Sequence, residues 1–137
     1  MLIPTGKYQT TITQARIVEV KGFETLSLCF TIDKGKHCWY NIIHTVPLSK
    51  GKLSFLQEMF AQAGYLIIID KEHPLFVEQF IGQRFESSVD RHISDGAIKN
   101  YIIEVKRTTE APDSDVLREK SEKHFYHSST ERDLPIL

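Results

Sequence analysis

The chain has 137 residues, 41% hydrophobic and 26% charged, with a formal net charge of −1, the profile of one globular domain with its own core. No apolar run approaches the ~18 residues of a membrane span, and two cysteines are too few for a disulfide scaffold. The opening Met1-Leu2-Ile3-Pro4-Thr5 has neither the basic region nor the apolar run of a secretion signal, so a cytoplasmic location is expected and secretion, membrane insertion and repeat architecture are not.

The first half of the chain has strand periodicity. Tyr8, Thr10 and Ile12 share one parity and Ala15 and Ile17 the other, which predicts a bulge near Thr13-Gln14 in a long first strand, Lys7–Val20. Lys21-Gly22 ends it. Glu24–Ile32 then alternates cleanly, with Leu26, Leu28, Phe30 and Ile32 on a core face and Thr25, Ser27, Cys29 and Thr31 on an open one. Asp33-Lys34-Gly35 fits a three-residue hairpin loop that pairs Ile32 with Lys36 and starts a third strand, His37–Val46. That register sets Leu28 against Tyr40, Leu26 against Ile42, Cys29 against Trp39, Ser27 against Asn41 and Thr25 against Ile43.

After Pro47-Leu48 the period becomes helical: Leu53, Leu56, Met59, Phe60 and Ala63 form one stripe and Gly64 the stop. Tyr65–Ile69 is an apolar run without a clear period, and Pro74–Phe80 fits a short helix ending at Gly82. Phe85–Ile93 and Ala97–Lys106 flank Ser94-Asp95-Gly96, a second three-residue loop. There Phe85 is expected to face Val105, Ser87 Ile103, Val89 Tyr101, and Arg91 Lys99. From Glu110 the pattern collapses into a polar stretch, expected to be a disordered acidic tail.

Three strands, a helix, an irregular excursion and two strands is the order of an OB-fold, a five-stranded partly open barrel with its helix between strands three and four. The expected organisation is therefore an OB-fold nucleic-acid-binding domain over 1–109 and a flexible tail over 110–137. Residues 1–109 carry 13 Lys+Arg against 11 Asp+Glu, and 110–137 carry 4 against 7, so a mildly basic body precedes an acidic end. That asymmetry is compatible with a polyanionic partner.

Catalytic signatures are not evident. GxSxG, GxxxxGK[ST] and HExxH do not occur, and a zinc site from Cys29, Cys38, His37 and His44 fails because the two cysteines are expected on opposite faces. The chain is thus expected to be no enzyme and to use no cofactor or metal. Trp39 is expected on the open face as a base-stacking platform, with Asn41 offering hydrogen bonds and Phe23 as a second aromatic. Lys21, Lys36, Arg91 and Lys99 lie at strand ends and loops, where they would meet phosphates.

Several segments resemble the small OB-fold single-stranded-DNA-binding proteins encoded by phages and prophages beside recombination genes. They are Pro4-x-Gly6-x-Tyr8, Glu19-Val20-Lys21-Gly22, Trp39-Tyr40-Asn41, the helix closing at Gly64, and Gly82-x-x-Phe85, together spanning residues 4–107. The resemblance implies binding of single-stranded DNA with little sequence preference in replication or recombination. The final Asp133-Leu134-Pro135-Ile136-Leu137, preceded by Glu131-Arg132, is similar to the acidic-then-apolar tip of bacterial single-stranded-DNA-binding proteins, which docks on replication and recombination partners. The alternative is an OB-type interaction module that binds a host or recombination protein without nucleic acid, since Trp, Tyr and Arg serve protein hot spots equally well. Homo-oligomerisation, and DNA against RNA, stay open at this stage.

Overall fold

A computed structural model describes residues 2–69 and 74–113. The tail expectations, including Asp133, Leu134, Pro135, Ile136 and Leu137, lie outside the described residues. The element order is β1 (Gly6–Val20), β2 (Phe23–Ile32), β3 (Asn41–Pro47), α1 (Lys50–Gln62), a short 3-10 helix (Val77–Phe80), β4 (Arg84–Ser94) and β5 (Ala97–Lys106). Among the described residues the strands form one antiparallel five-stranded sheet in the order β3-β2-β1-β4-β5, mainly β with one α-helix set between β3 and β4. No helix among the described residues is long and apolar enough to cross a membrane.

β1 is the hinge of this sheet. Gly6–Thr11 pair with β4 and Thr10–Val20 with β2, and the β1–β2 register shifts between Ile12 and Gln14, where the parity switch predicts a bulge. A bulge adds a residue on one strand, bends it and increases its twist. The size of the bend can be read from the hairpin tips. Gly6 pairs with Val89, so at about 3.3 Å per residue a flat sheet would hold Lys21 and Asp95 on the order of 70 Å apart. Instead Lys21 Nζ lies 3.9 Å from Asp95 Oδ1. The sheet therefore curls back until the β1–β2 and β4–β5 turns touch. Its edges, β3 and β5, come near one another, and the Tyr40 hydroxyl, just before β3, donates to Asn100 Oδ1 of β5 at 3.0 Å.

The core fills the concave side. Ile12, Leu26, Leu28, Phe30, Ile32, Ile42 and Val46 come from β1 to β3, and Phe85, Val89, Ile102 and Val105 from β4 and β5. α1 closes one end with Leu56, Phe60 and Ala63, the stripe expected from its period. Phe60 sits 5.0 Å from Phe85 and 5.7 Å from Phe80, ring centre to ring centre, so one aromatic cluster joins helix, 3-10 turn and sheet. Gly64, at φ +94°, ends the helix in the left-handed region that a side chain would strain. Tyr65–Ile69 forms no strand. Gln57 Nε2 donates to Ile67 O at 2.7 Å, and the Gln79 amide accepts from Ile68 N–H (2.9 Å) and donates to Ile68 O (3.0 Å). Side-chain amides thus supply the partners that a neighbouring strand would have given.

Two registers differ from expectation. In β2–β3, Leu28 pairs with His44, Cys29 with Ile43, Phe30 with Ile42 and Thr31 with Asn41, a displacement of four residues. An even displacement preserves faces, so Ile42 remains in the core and Ile43 outside. The cause is Asp33. Rather than opening a short loop, it is fully buried, accepting from Thr11 Oγ1 (2.5 Å), Arg84 Nε (3.0 Å) and Arg84 Nη2 (3.0 Å). The turn is delayed, and Ile32 instead bonds Trp39 and Tyr40: Trp39 N–H donates to Ile32 O and Ile32 N–H to Tyr40 O, both at 2.9 Å.

In β4–β5 a shift between Ser88 and Val89 changes the parity of everything beyond it. Val89 pairs with Ile102, Arg91 with Asn100 and His92 with Lys99, so the expected Arg91–Lys99 opposition does not exist. Ile103, expected in the core, is exposed, while Asn100 is buried. The turn itself holds only Asp95 and Gly96, both at positive φ, between paired Ser94 and Ala97. This is the primed geometry that matches strand twist.

His44 gives the fold an acid sensitivity. It is half-buried on the core side of β3, its ring 6.2 Å edge-on to Phe30, and burial lowers its pKa below the usual 6.5. The unfolded chain therefore takes up this proton first as pH falls below about 6.5, and stability declines from there down to the lowered folded value. The slope contributed is at most about 1.4 kcal/mol per pH unit. Urea midpoints of the wild type and His44→Leu between pH 7 and 5 check this: the variant should lose that share of the slope, and parallel curves would refute the assignment.

Candidate nucleic-acid interface

Apart from Arg91, the body residues singled out from the sequence fall into two places. One is the pair of touching turns. Lys21, at φ +53°, and Gly22, at φ +83°, make a two-residue turn between paired Val20 and Phe23. Phe23 is thus the first residue of β2, standing 72% exposed beside Lys21. Across the Lys21–Asp95 contact, the β4–β5 tip carries Ile93 and Ile98 as a cross-strand pair, 72% and 57% exposed, with Lys99 next in β5. Large apolar side chains flanking two turns, with lysines among them, are costly to leave in water. They form an exposed apolar surface of mixed charge, with Lys21 and Lys99 on one side of the balance and Asp95 and the cross-strand pair Glu19 and Glu24 on the other.

Arg91 is drawn away from this surface. Its Nε donates to Ile3 O at 3.1 Å, and Asp90 Oδ1 accepts from its backbone N–H at 2.8 Å. Asn100 completes the same clamp: Ile3 N–H donates to its Oδ1 (2.9 Å), and its Nδ2 donates to Ile3 O (3.0 Å). Arg91, an exposed residue, therefore helps to fasten the N-terminal segment.

The second place is the β2–β3 turn, with Lys36, Trp39 and Asn41. Trp39 does not sit in a strand opposite Cys29. It occupies the bulge before β3 at φ +79°, half-buried. A bulky residue in the left-handed region costs roughly 1–2 kcal/mol, and bulges of this kind usually place glycine there. The outer side of β2 is also less open than its alternation suggests, because Thr25, Cys29 and Thr31 are buried. Thr31 Oγ1 donates to Asn41 Oδ1 at 2.7 Å, so the 2.8 Å contact with Thr13 takes its hydrogen from Thr13. This chain of hydroxyls orients the Asn41 amide at the exposed start of β3.

A feature without a sequence signal adjoins this turn. After β5 the chain doubles back across the outer side of β1 as a strap, 107–113. Thr108 Oγ1 donates to Gln9 Oε1, Arg84 Nη1 donates to Glu110 O (2.6 Å), and Asp113 N–H donates to Asp33 O (2.7 Å). Polar composition concealed it, since its partners are backbone groups and buried polar side chains far away in sequence. Within the strap the Asp113 carboxylate lies against Gly35 and Cys38. Burial, with Asp113 beside it, pushes the Cys38 thiol up to about 11, and the same hydrogen bond, with that from Gly35 N–H, holds the Asp113 carboxyl below its usual value. No family model matches this sequence, and no curated protein is found to be similar to it.

Proposed function

We propose that this chain is a non-enzymatic single-stranded-DNA-binding protein of phage or mobile-element type, with its sheet acting as an OB-type barrel. The single observation that carries the reading is the contact of the β1–β2 and β4–β5 turns through Lys21 and Asp95, the turns beside which Phe23, Ile93 and Ile98 stand exposed. In an OB-type barrel these loops flank the ligand face of strands two and three. Phe23 stacks a base, Lys21 and Lys99 meet phosphates at the tips, and Lys36, Trp39 and Asn41 continue the track along the β2–β3 turn. Stacking needs only a π-face, so sequence preference is weak.

The test is a titration with unstructured oligo-dT at several salt concentrations, followed by Trp39 fluorescence and gel shift, with duplex DNA alongside. Single-stranded binding should dominate. If Lys21, Lys36 and Lys99 each neutralise one phosphate, log K should fall with log salt at a slope of about −2. Absence of oligo-dT binding in both assays would overturn the reading. The aliphatic pair Ile93 and Ile98 favours a second reading, a protein-interaction module using the same turns, which predicts retained affinity for a protein partner at high salt.

A further inference from the structure

The Asp113 carboxylate is held by donors that have no need of a carboxylate in particular. Gly35 N–H and the Cys38 thiol both donate to Asp113 Oδ2, each at 3.2 Å, so they converge on one anionic oxygen. Gly35 lies at φ +90°. Lys34 is close enough to donate to Ala111 O at 3.4 Å, and its charge favours the anionic form of Asp113. Lys36 and Trp39 border the same turn. Convergent N–H and S–H donors beside lysine form an oxyanion seat, and its present occupant is exposed and comes from the strap rather than from the sheet.

We propose that the β2–β3 turn is a phosphate seat, formed by Gly35 N–H, Cys38 Sγ and Lys34, which Asp113 occupies in the nucleic-acid-free protein and yields to a phosphodiester oxygen. The seat rests on the nucleic-acid reading for its natural ligand, and on the geometry alone for its affinity for anions. A phosphodiester and a carboxylate each present a singly charged oxygen acceptor of similar reach. The occupant has the advantage of being tethered, with an effective concentration in the millimolar range for a short connection. A free phosphate therefore competes poorly, whereas a strand already held elsewhere on the protein competes with the advantage of its own tether. Release of Asp113 also removes the carboxylate charge that Lys34 faces.

The experiment compares the full chain with its Asp113→Ala variant by amide NMR, using inorganic phosphate and then oligo-dT as probes. Asp113 is exposed and its side chain touches no core residue, so the variant retains every core contact. With phosphate, the Gly35 amide resonance should shift saturably in Asp113→Ala, and at roughly tenfold higher phosphate in the wild type. No saturable shift at Gly35 in the variant overturns the seat. With oligo-dT at low salt, the variant should bind roughly 3–10 times more tightly, the gain shrinking as salt rises. Equal affinities overturn the competition. If phosphate seats at Gly35 while neither protein binds oligo-dT, the seat stands and the single-stranded-DNA reading is what fails.

Discussion

Arg84→Ala is expected to destabilise the fold by about 3–5 kcal/mol, the range for removing one partner of a buried ion pair. Asp33 is fully buried, and Arg84, largely covered itself, meets both of its carboxylate oxygens in a two-pronged contact at 3.0 Å. Alanine would leave that charge with Thr11 as its remaining side-chain donor. It would also release Glu110 O, which Arg84 Nη1 holds at 2.6 Å. Urea unfolding measures the loss as a lower midpoint at an unchanged m-value. Arg84→Lys keeps the charge but not the planar fork, and should fall between. The double replacement Arg84→Met with Asp33→Leu should recover much of the loss, because it removes the stranded charge along with its partner. A loss below about 1 kcal/mol for Arg84→Ala would place this pair among weak surface bridges and remove the explanation offered for the β2–β3 register.

Phe23→Ala should leave stability within about 0.5 kcal/mol, since the side chain is mostly in water. The same change should weaken oligo-dT binding by about 1–3 kcal/mol, or roughly 5- to 150-fold, the range for one base–aromatic stack. Phe23→Trp should preserve affinity, because any flat aromatic serves. Trp39→Ala makes a contrasting control. Trp39 is half-buried in a bulge at positive φ, so its truncation removes packing as well as any contact with DNA. Wild-type affinity in Phe23→Ala would move the stacking platform away from the β1–β2 turn.

How much of this was legible in the amino-acid sequence differs from element to element. The bulge in β1 could be seen because Thr10 and Ile12 are of one parity and Ala15 and Ile17 of the other, and the stripe of α1 because Leu56, Phe60 and Ala63 recur at helical spacing. The shift at Ser88/Val89 could not, because Tyr101, Ile102 and Ile103 are apolar on both parities and leave the face undetermined. The β2–β3 turn misled for another reason. Asp33-Lys34-Gly35 has good turn chemistry, but Asp33 is claimed by Arg84, a partner distant in the chain. Trp39 consequently left the strand, while Phe23, the more exposed aromatic, gained importance from a contact between turns that no local pattern encodes.

The sequence by itself determined the strand and helix content, their order, the bend in β1 and the core side of β2, because these follow from periodicity between near neighbours. Only the tertiary structure decided the β2–β3 and β4–β5 registers, the meeting of Lys21 with Asp95, the clamp of Asn100 on Ile3, and the strap that sets Asp113 on Gly35. Each depends on a charge or hydrogen-bond partner supplied from elsewhere in the chain. A buried polar group must find that partner wherever the fold provides it, and no spacing along the chain specifies where that is.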